Sequence, residues 1–550
     1  MSDAGSVVEV NGPLVKVRLP HVRTGEQVSI GSLALTGEVL GRKGDEAIVQ
    51  VYESTETVRP GDDVVPLGHP LSVELGPGLL GRIFDGVQRP LDEISRLHGD
   101  TIPRGISVTS LDREAVWHFT PRPGLTVGEQ LSEGFSLGEV PETESIVHHI
   151  LVPPGINGKL VELAPAGEYR VEDTIAVLHG AEGREHRLQL FHRWPVRVPR
   201  PHVRRIHTAE PLLSGQRIID LFFPVLKGGK AAIPGPFGAG KTILQHQIAR
   251  WSNADIVIYV GCGERGNELV DILNSFPALK DPYSGRSLME RTLLVANTSN
   301  MPVVAREASI YVGVTLAEYY RDQGYHVVMV ADSTSRWAEA LREVAGRLGQ
   351  MPVEEGYPAN LASRLAAFYE RAGRVESLGG EFGSVTLIGA VSPPGGDFSG
   401  DYFTITDAWC EPKPVQDRLP ILVGTGSPRM LGITARHADE WNTWGAPDLA
   451  AGRRADFERA RSESITAWDR VHEVEKEAEE VAAHLVGRPL RPPPARAERP
   501  GCGRRPRPRH LGVGPGTPSG ARGQSRAGRS SWRQHRRHRC TGRRHLRRCL

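Results

Sequence analysis

The chain has 550 residues, more than one hydrophobic core usually organises, so three or four domains are expected. Its 67 Lys and Arg nearly balance its 65 Asp and Glu. Residues 501–550, however, contain 15 Arg, no Lys and no acidic residue, which leaves residues 1–500 with a net charge of −13. An acidic body argues against a nucleic-acid partner, because neutralising phosphates requires clustered cations.

Membrane-spanning and secreted classes are also disfavoured. No stretch approaches ~18 consecutive apolar residues, so no transmembrane segment is predicted. Residues 1–10 lack the basic and apolar regions of a secretory signal peptide. A reduced, cytosolic protein without a zinc site is expected, because no CxxC pair or metal-ligand spacing occurs among the five cysteines, Cys262, Cys410, Cys502, Cys540 and Cys549.

Short strand patterns separated by tight turns begin the chain. Alternation of β-branched residues predicts strands at 6–10, 14–17, 27–30, 33–40 and 47–51. Closely spaced strands of this kind favour an N-terminal β-barrel over residues 1–70. A glycine-rich stretch at 71–109 leads into a later domain, and residues 110–200 are again strand-rich, which predicts an inserted β module.

The pattern changes over residues 201–399, where apolar runs alternate with helical periods. The runs lie at 231–234, 256–260, 293–295, 327–331 and 385–391. Continuous apolar strands between helices are typical of a parallel sheet that is covered on both faces. The predicted fold class is therefore α/β, with a parallel-sheet core that follows the barrel and the inserted module.

One motif in this core predicts a phosphate site. The sequence GPFGAGKT fits GxxxxGK[ST], lies between a predicted strand and a predicted helix at 243–251, and comprises Gly235, Pro236, Phe237, Gly238, Ala239, Gly240, Lys241 and Thr242. Glycines let backbone N–H groups surround phosphate oxygens, and the helix N-terminus adds positive potential. Lys241 would reach the β- and γ-phosphates and the Thr242 hydroxyl would ligate Mg²⁺, which makes ATP or ADP with Mg²⁺ the expected ligand of a P-loop NTPase core.

Two acidic positions follow other strands of the predicted sheet. Asp332 ends the run 327–331, and the carboxyl end of a parallel strand is where ligands bind, so it would hold Mg²⁺ through water. A cap on the next turn is the alternative role for Asp332. Glu264 and Arg265 follow the run 256–260, where Glu264 could polarise an attacking water and Arg265 could contact phosphate or a neighbouring protomer. A plain surface ion pair explains these two residues equally well.

Several segments together resemble the catalytic A (alpha) subunit of V-type ATPases and A/V-type ATP synthases. They are GPFGAGKT, GCGERGNE at 261–268, and the stretches 297–320, 331–343 and 354–374. GRIFDGVQRPLD at 81–92 and the long insert at 110–200 fit the same family, and the resemblance runs from about residue 5 to residue 399. It implies that Lys241 and Thr242 serve phosphate and Mg²⁺, Glu264 the attacking water, Arg265 the phosphate region and Asp332 the Mg²⁺ shell.

The resemblance also implies an activity and an assembly. Such proteins interconvert ATP with ADP and phosphate, coupled to proton or sodium passage through a separate membrane sector. They alternate with B subunits in an A3B3 ring, contact central-stalk rotor subunits, and lie peripherally at the cytoplasmic face of a membrane. The arginine finger of this family comes from the B subunit, so it is not expected in this chain.

Beyond residue 399 the resemblance ends. The stretch 419–445, with a predicted strand at 421–423, resembles the C-terminal part of luciferase-like, flavin- or deazaflavin-dependent monooxygenases. Residues 400–470 are therefore predicted to be a foreign α/β fragment. Residues 471–550 are predicted to be a disordered, Pro/Gly/Arg-rich tail, typical of GC-rich DNA translated in a wrong frame, with an RNA- or anion-binding arm as the alternative.

Two alternative functions follow from the change in sequence at residue 399. The first is an ATP-binding protein that does not turn over, and the second is a flavin- or deazaflavin-dependent oxidoreductase based on residues 400–470. The first predicts MgATP binding without phosphate release, and the second predicts flavin or deazaflavin absorbance in the purified chain.

Overall fold

The computed structural model describes residues 4–392 except 100, 208, 237, 354 and 355, together with 422–424 and 440–442. The elements up to residue 392 belong to one compact unit, and the two short strands that follow belong to another. Among these described residues, no helix combines the length and the hydrophobicity needed to cross a bilayer.

Six antiparallel strands close a barrel at the N-terminus, as the sequence predicted. The strands run in the order β1-β2-β5-β4-β3-β6 and are β1 (Gly5–Asn11), β2 (Leu14–Arg18), β3 (Glu26–Ile30), β4 (Leu35–Lys43), β5 (Glu46–Val51) and β6 (Asp63–Pro70). Alternate side chains fill the interior, where Val15, Val28 and Val49 are completely buried. The sixth strand was not predicted, because Pro66 and Gly68 interrupt its alternation.

Two four-stranded antiparallel sheets form the inserted β module. Before it come β7 (Ser72–Leu75), β8 (Ile83–Phe84) and the helix α1 (Leu91–His98). The sheets have the orders β10-β13-β15-β16 and β12-β11-β9-β14, and the strands are β9 (Val116–Pro121), β10 (Gln130–Leu131), β11 (Ser136–Pro141), β12 (Val147–Leu151), β13 (Gly158–Leu163), β14 (Gly167–Arg170), β15 (Thr174–His179) and β16 (Glu185–Gln189). A last strand, β17 (His192–Pro195), pairs with β7 and returns the chain to the body of the molecule.

An eight-stranded sheet with flanking helices follows. Its order is β18-β25-β26-β24-β22-β23-β8, with β21 also paired to β26. Besides β8, the sheet contains β18 (Arg204–Arg205), β21 (Lys230–Pro234), β22 (Ile256–Glu264), β23 (Thr292–Thr298), β24 (His326–Asp332), β25 (Gly373–Glu376) and β26 (Phe382–Val391). The strands β19 (Pro211–Leu212) and β20 (Val225–Leu226) pair only with each other. The helices are α2 (Arg217–Phe222), α3 (Lys241–Trp251), α4 (Gly266–Ser275), α5 (Val303–Asp322), α6 (Thr334–Arg347) and α7 (Leu361–Tyr369).

The centre of this sheet is the parallel core that the apolar runs predicted. β22, β23, β24 and β26 pair in parallel, and nearly all of their residues are buried. On one face lies α5, which is buried on almost every side because its apolar residues surround the helix. Residues of α3 and α4 pack with the opposite face, where Ile248 and Ile272 join a second apolar cluster.

For the strand β21 the expected burial was wrong. Its residues alternate between exposed and half-buried, although the run 231–234 was predicted to be covered on both faces. β21 shares one edge of β26 with β25, and among the described residues it pairs with no other strand. An edge position leaves one side of a strand without strand cover, which accounts for its exposure.

Buried polar contacts fix the inserted module to this core. His148 of β12 lies between Glu142 and Tyr319, with ring-nitrogen distances of 2.7 Å to each. The Glu142 carboxylate also accepts a hydrogen bond from the Tyr320 hydroxyl and from three backbone N–H groups at residues 78–80. These groups are almost completely buried and hydrogen-bond to one another, so they hold α5 in place beneath the module.

The predictions beyond residue 399 lie almost entirely outside the described residues. The exceptions are β27 (Leu422–Gly424) and β28 (Glu440–Asn442), which pair in parallel. β27 overlaps the strand predicted at 421–423. The monooxygenase resemblance and the predicted disordered tail are not tested further and stay predictions, as do the predicted domain boundaries.

Candidate active site

The GKT loop connects β21 to α3, as the motif predicted, but α3 begins at Lys241, two residues earlier than expected. Gly238 and Gly240 have φ values of 79° and 86°, in the left-handed region that favours glycine. A Cβ atom at either position would meet nothing within 4 Å, so backbone conformation rather than space requires glycine here. Phe237 lies outside the described residues.

The Lys241 side chain is folded over its own loop. Its Nζ donates to the carbonyl oxygens of Gly235 and Pro236 at 2.9 and 3.0 Å. The Gly235 N–H donates to the Val391 carbonyl at 3.0 Å, which fixes the beginning of the loop to the end of β26. The loop therefore holds its cation close to the backbone amides that would face a phosphate.

Asp332, the last residue of β24, meets the GKT loop at the C-terminal edge of the sheet. It is 2% exposed and accepts a hydrogen bond from the Tyr259 hydroxyl at 2.9 Å, and the Thr242 hydroxyl lies close enough to influence its pKa. Burial raises the pKa of this carboxyl, and the charge of Glu268 adds to the rise, while the Thr242 and Tyr259 hydroxyls and the charge of Lys241 oppose it. The structure thus joins two residues, Thr242 and Asp332, that lie far apart in the sequence.

Glu264, the last residue of β22, is a half-buried carboxyl in the same region. Burial raises its pKa to about 8, and the charge of Asp332 and a shared hydrogen bond with Glu268 contribute to the rise. The positive charge of Arg336 acts in the opposite direction. Glu264 therefore holds a proton at neutral pH and is poised to release it near pH 8.

Arg336 and Tyr259 were missed as site residues from the sequence. Arg336 lies in the first turn of α6, four residues after Asp332, and its Nη1 donates to Glu339 at 2.9 Å. The short distance between Asp332 and Arg336 along the chain could have indicated this placement. Tyr259 lies within an apolar run that gave no such signal. Arg265 is exposed immediately before α4, and its predicted role is not tested.

The donor set fits Mg²⁺ bound together with a nucleotide. Thr242 offers a hydroxyl oxygen, and the carboxyls of Asp332, Glu264 and Glu268 interact with one another, Asp332 also with the cation Lys241. Among the described residues, no group of three His, Cys, Asp or Glu could hold a metal alone. Mg²⁺ usually keeps several waters and shares substrate phosphates rather than occupying an all-protein cage, so this sparse set suits it.

Comparison with known protein families agrees with this architecture. The ATP synthase alpha/beta family matches in three parts. Its beta-barrel domain matches residues 3–68, its barrel-sandwich domain matches residues 108–197, and its nucleotide-binding domain matches residues 215–409. These matches correspond to the barrel, the inserted module and the sheet that carries the GKT loop.

Individual relatives narrow the family further. The V-type ATP synthase alpha chain of Nitrosococcus oceani is 71% identical over 395 residues, covering 72% of this chain and 67% of that protein. The A subunit of the A-type ATP synthase of Methanopyrus kandleri is 59% identical over 398 residues, with the same two shares. Its counterpart in Desulfurococcus sp. (strain SY) is 56% identical over 398 residues, covering 72% of this chain and 68% of that protein. This chain therefore belongs to the family of A (alpha) subunits of A/V-type ATP synthases.

Proposed function

We propose that this chain is the catalytic subunit of a rotary A/V-type ATPase or ATP synthase, which interconverts ATP with ADP and phosphate. The observation that carries the proposal is the proximity of the GKT loop to the buried Asp332 of β24, whose carboxyl is influenced by both the Thr242 hydroxyl and the charge of Lys241. It brings the two parts of a P-loop nucleotide site together at the C-terminal edge of a parallel sheet, where such sheets bind ligands.

The loop residues bind phosphate mainly through their backbone. The N–H groups of Gly238 and Gly240 would face phosphate oxygens. Pro236 has no N–H to give, and in this structure the N–H groups of Gly235 and Ala239 donate to the carbonyls of Val391 and Pro236, so Ala239 would have to exchange its partner for phosphate. Lys241 would leave its two carbonyl partners and contact the β- and γ-phosphates. The exchange replaces two neutral acceptors by charged ones, which makes stronger hydrogen bonds.

Thr242 and Asp332 would hold Mg²⁺, Thr242 directly and Asp332 through water. When bound, the cation neutralises charge on the phosphate oxygens. A Thr242 hydroxyl that donates its hydrogen to the nearby Asp332 carboxylate would keep its oxygen lone pairs available to a cation. Asp332 would then both orient Thr242 and supply negative charge beside it.

Glu264 would orient and polarise the water that attacks the terminal phosphate. In this structure it interacts with Glu268, and its raised pKa keeps it protonated below about pH 8. To serve as a base it must be ionised, which a cation beside the three carboxyls would favour. Arg265 is proposed to contact the phosphate region or a neighbouring protomer.

The family membership implies a place in a rotary ATPase complex. We propose that the chain alternates with B subunits in an A3B3 ring, contacts central-stalk rotor subunits, and works with a membrane sector that carries protons or sodium. It would then lie peripherally at the cytoplasmic face of a membrane. The net charge of −13 over residues 1–500 supports partners other than nucleic acid.

The test is phosphate release from ATP by this chain reconstituted with B subunits. The proposal predicts hydrolysis that requires Mg²⁺ and is lost in Lys241→Ala. A second candidate is an ATP-binding protein without turnover, because a third of the length of the relatives has no counterpart in the match. That candidate predicts MgATP binding with no phosphate release, even from the wild-type chain.

A further inference from the structure

A buried tyrosine lies beside the proposed Mg²⁺ carboxylate without a role in the chemistry described above. Tyr259 is 1% exposed and lies in the middle of β22. Its hydroxyl donates to Oδ2 of Asp332 at 2.9 Å. A buried hydroxyl needs a hydrogen-bond partner, and the nearer partner of this one is the carboxylate beside the GKT loop, while Nε2 of His246 lies at 3.4 Å.

The contact follows from the register of the two strands. β22 and β24 are parallel, with Tyr259 opposite Val330 and Gly261 opposite Asp332. Tyr259, Gly261 and Asp332 therefore share one face of the sheet, since side chains alternate along a strand. Gly261 places no side chain next to Asp332, so the phenol ring can extend along β22 over two residues, about 6.6 Å, to reach the carboxylate.

The ring has little freedom to turn away. It makes edge-to-face contacts with His246 of α3, at 5.6 Å between centroids, and with Phe276, at 6.1 Å. Burial and the nearby carboxylate raise the pKa of the Tyr259 phenol well above its ordinary value, so it remains a neutral donor. A fixed donor of this kind holds one carboxylate oxygen in a defined position.

We propose that Tyr259 is a positioning residue for Mg²⁺, acting through Asp332. Its hydroxyl occupies Oδ2, so that the carboxylate keeps one orientation beside the Thr242 hydroxyl, whose oxygen would then face the cation. In this arrangement Tyr259 would touch neither nucleotide nor metal. This inference rests on the proposed function, because it assumes that MgADP or MgATP binds at the GKT loop.

The experiment compares ADP binding to the full chain by calorimetry, in Mg²⁺ and in EDTA. Partners that orient metal ligands typically affect metal affinity by about 10–100-fold, and Tyr259 acts at one further remove, so about tenfold is expected. Tyr259→Phe should therefore weaken ADP binding about tenfold in Mg²⁺ and by less than about twofold in EDTA. Thermal unfolding of the same samples reports any general loss of stability.

Tyr320→Phe is the matched control. Tyr320 is completely buried and donates to the buried carboxylate Glu142 at 3.0 Å, so the substitution removes the same kind of hydrogen bond outside the nucleotide site. It should lower thermal stability and leave the ratio of the two ADP dissociation constants unchanged.

An unchanged ratio in Tyr259→Phe, with or without lower stability, would show that the tyrosine is only structural and overturn the inference. An equal change of the ratio in Tyr320→Phe would overturn it too, because the effect would then not be local. If the wild-type chain binds no ADP in either buffer, the proposed function fails instead.

Discussion

The two halves of the candidate site differ in how the fold supports them. Asp332 and Glu264 end β24 and β22, whose residues are almost all buried in the centre of the sheet. The GKT loop follows β21, an edge strand in the described part of the chain with no buried residue. The carboxylates are thus held by core packing, whereas the phosphate loop is held by glycine conformations and a few hydrogen bonds.

This difference has a chemical consequence. Burial and the charges of neighbouring carboxyls raise the pKa of both Asp332 and Glu264. The charged forms of these carboxyls are therefore disfavoured in the half of the site that the strands hold. In the loop half, Lys241 instead donates to two backbone carbonyls, and it must leave them before it can contact a nucleotide. Preorganised charge and an adaptable phosphate loop are the combination expected where phosphoryl transfer depends on positioning and electrostatics.

The largest expected effect is on turnover, through the buried half. In a chain whose residues beyond 399 are replaced by the C-terminal region of a relative, Glu264→Gln should lower ATP hydrolysis by roughly 10²–10⁴, because it removes the charge proposed to polarise water. Nucleotide affinity should change by no more than a few-fold, since it depends on the loop and Mg²⁺. Phosphate release with B subunits and calorimetry measure the two quantities.

Glu343→Gln is the control for that experiment, because Glu343 is exposed and pairs with Arg347 at the end of α6. It should hydrolyse ATP at the wild-type rate. If Glu264→Gln also hydrolyses ATP at the wild-type rate, Glu264 is only an ion-pair partner of Arg265. Glu268 is then the next carboxylate to test.

A smaller effect on stability should separate the two strands. Ile258→Ala in β22 removes a completely buried side chain and should cost about 2–5 kcal/mol of unfolding free energy. Ile233→Ala in β21 removes a half-buried one and should cost clearly less, since part of that surface is already in water. Denaturant unfolding of both variants checks the order, and equal costs would remove the contrast between the strands.

The last effect concerns pH. The pKa of Glu264 is about 8 in the folded chain and near 4.5 when unfolded, so the folded chain binds the extra proton between these values. Stability supplied by this group is therefore complete at low pH and is lost as pH rises through about 8. Glu264→Gln should flatten the decline of the melting temperature between about pH 5 and 9, whereas Glu343→Gln should keep the wild-type slope. A wild-type slope in both variants would contradict the raised pKa.

The sequence predicted where the strands of the sheet lie better than it predicted whether neighbouring elements cover each strand. The runs 256–260 and 327–331 lie within β22 and β24, because continuous apolar residues identify buried strands without further information. The same reasoning failed for β21, since an apolar run of four residues does not reveal whether a strand lies at an edge. The sequence did not predict β6, because a proline and a glycine interrupt the alternation of its side chains.

The same limit applies to the site. The motif alone predicts Lys241 and Thr242 as phosphate- and Mg²⁺-binding residues, because local spacing defines a P-loop motif. The pairing of Asp332 with Thr242 could be anticipated only from the rule that strand ends meet at one edge. The Tyr259 contact depends on the register between β22 and β24, which no local pattern specifies.

The most direct test of the central claim, that the GKT loop and Asp332 form one MgATP site, is calorimetry of MgATP with Lys241→Ala. Lys230→Ala is the matched control, because Lys230 lies in β21 just before the loop and its Nζ pairs with Glu370 at 3.1 Å. The account predicts that binding is abolished in Lys241→Ala, which lacks the cation nearest the terminal phosphates, and stays near the wild-type affinity in Lys230→Ala. Unchanged MgATP affinity in Lys241→Ala would contradict the assignment of the site.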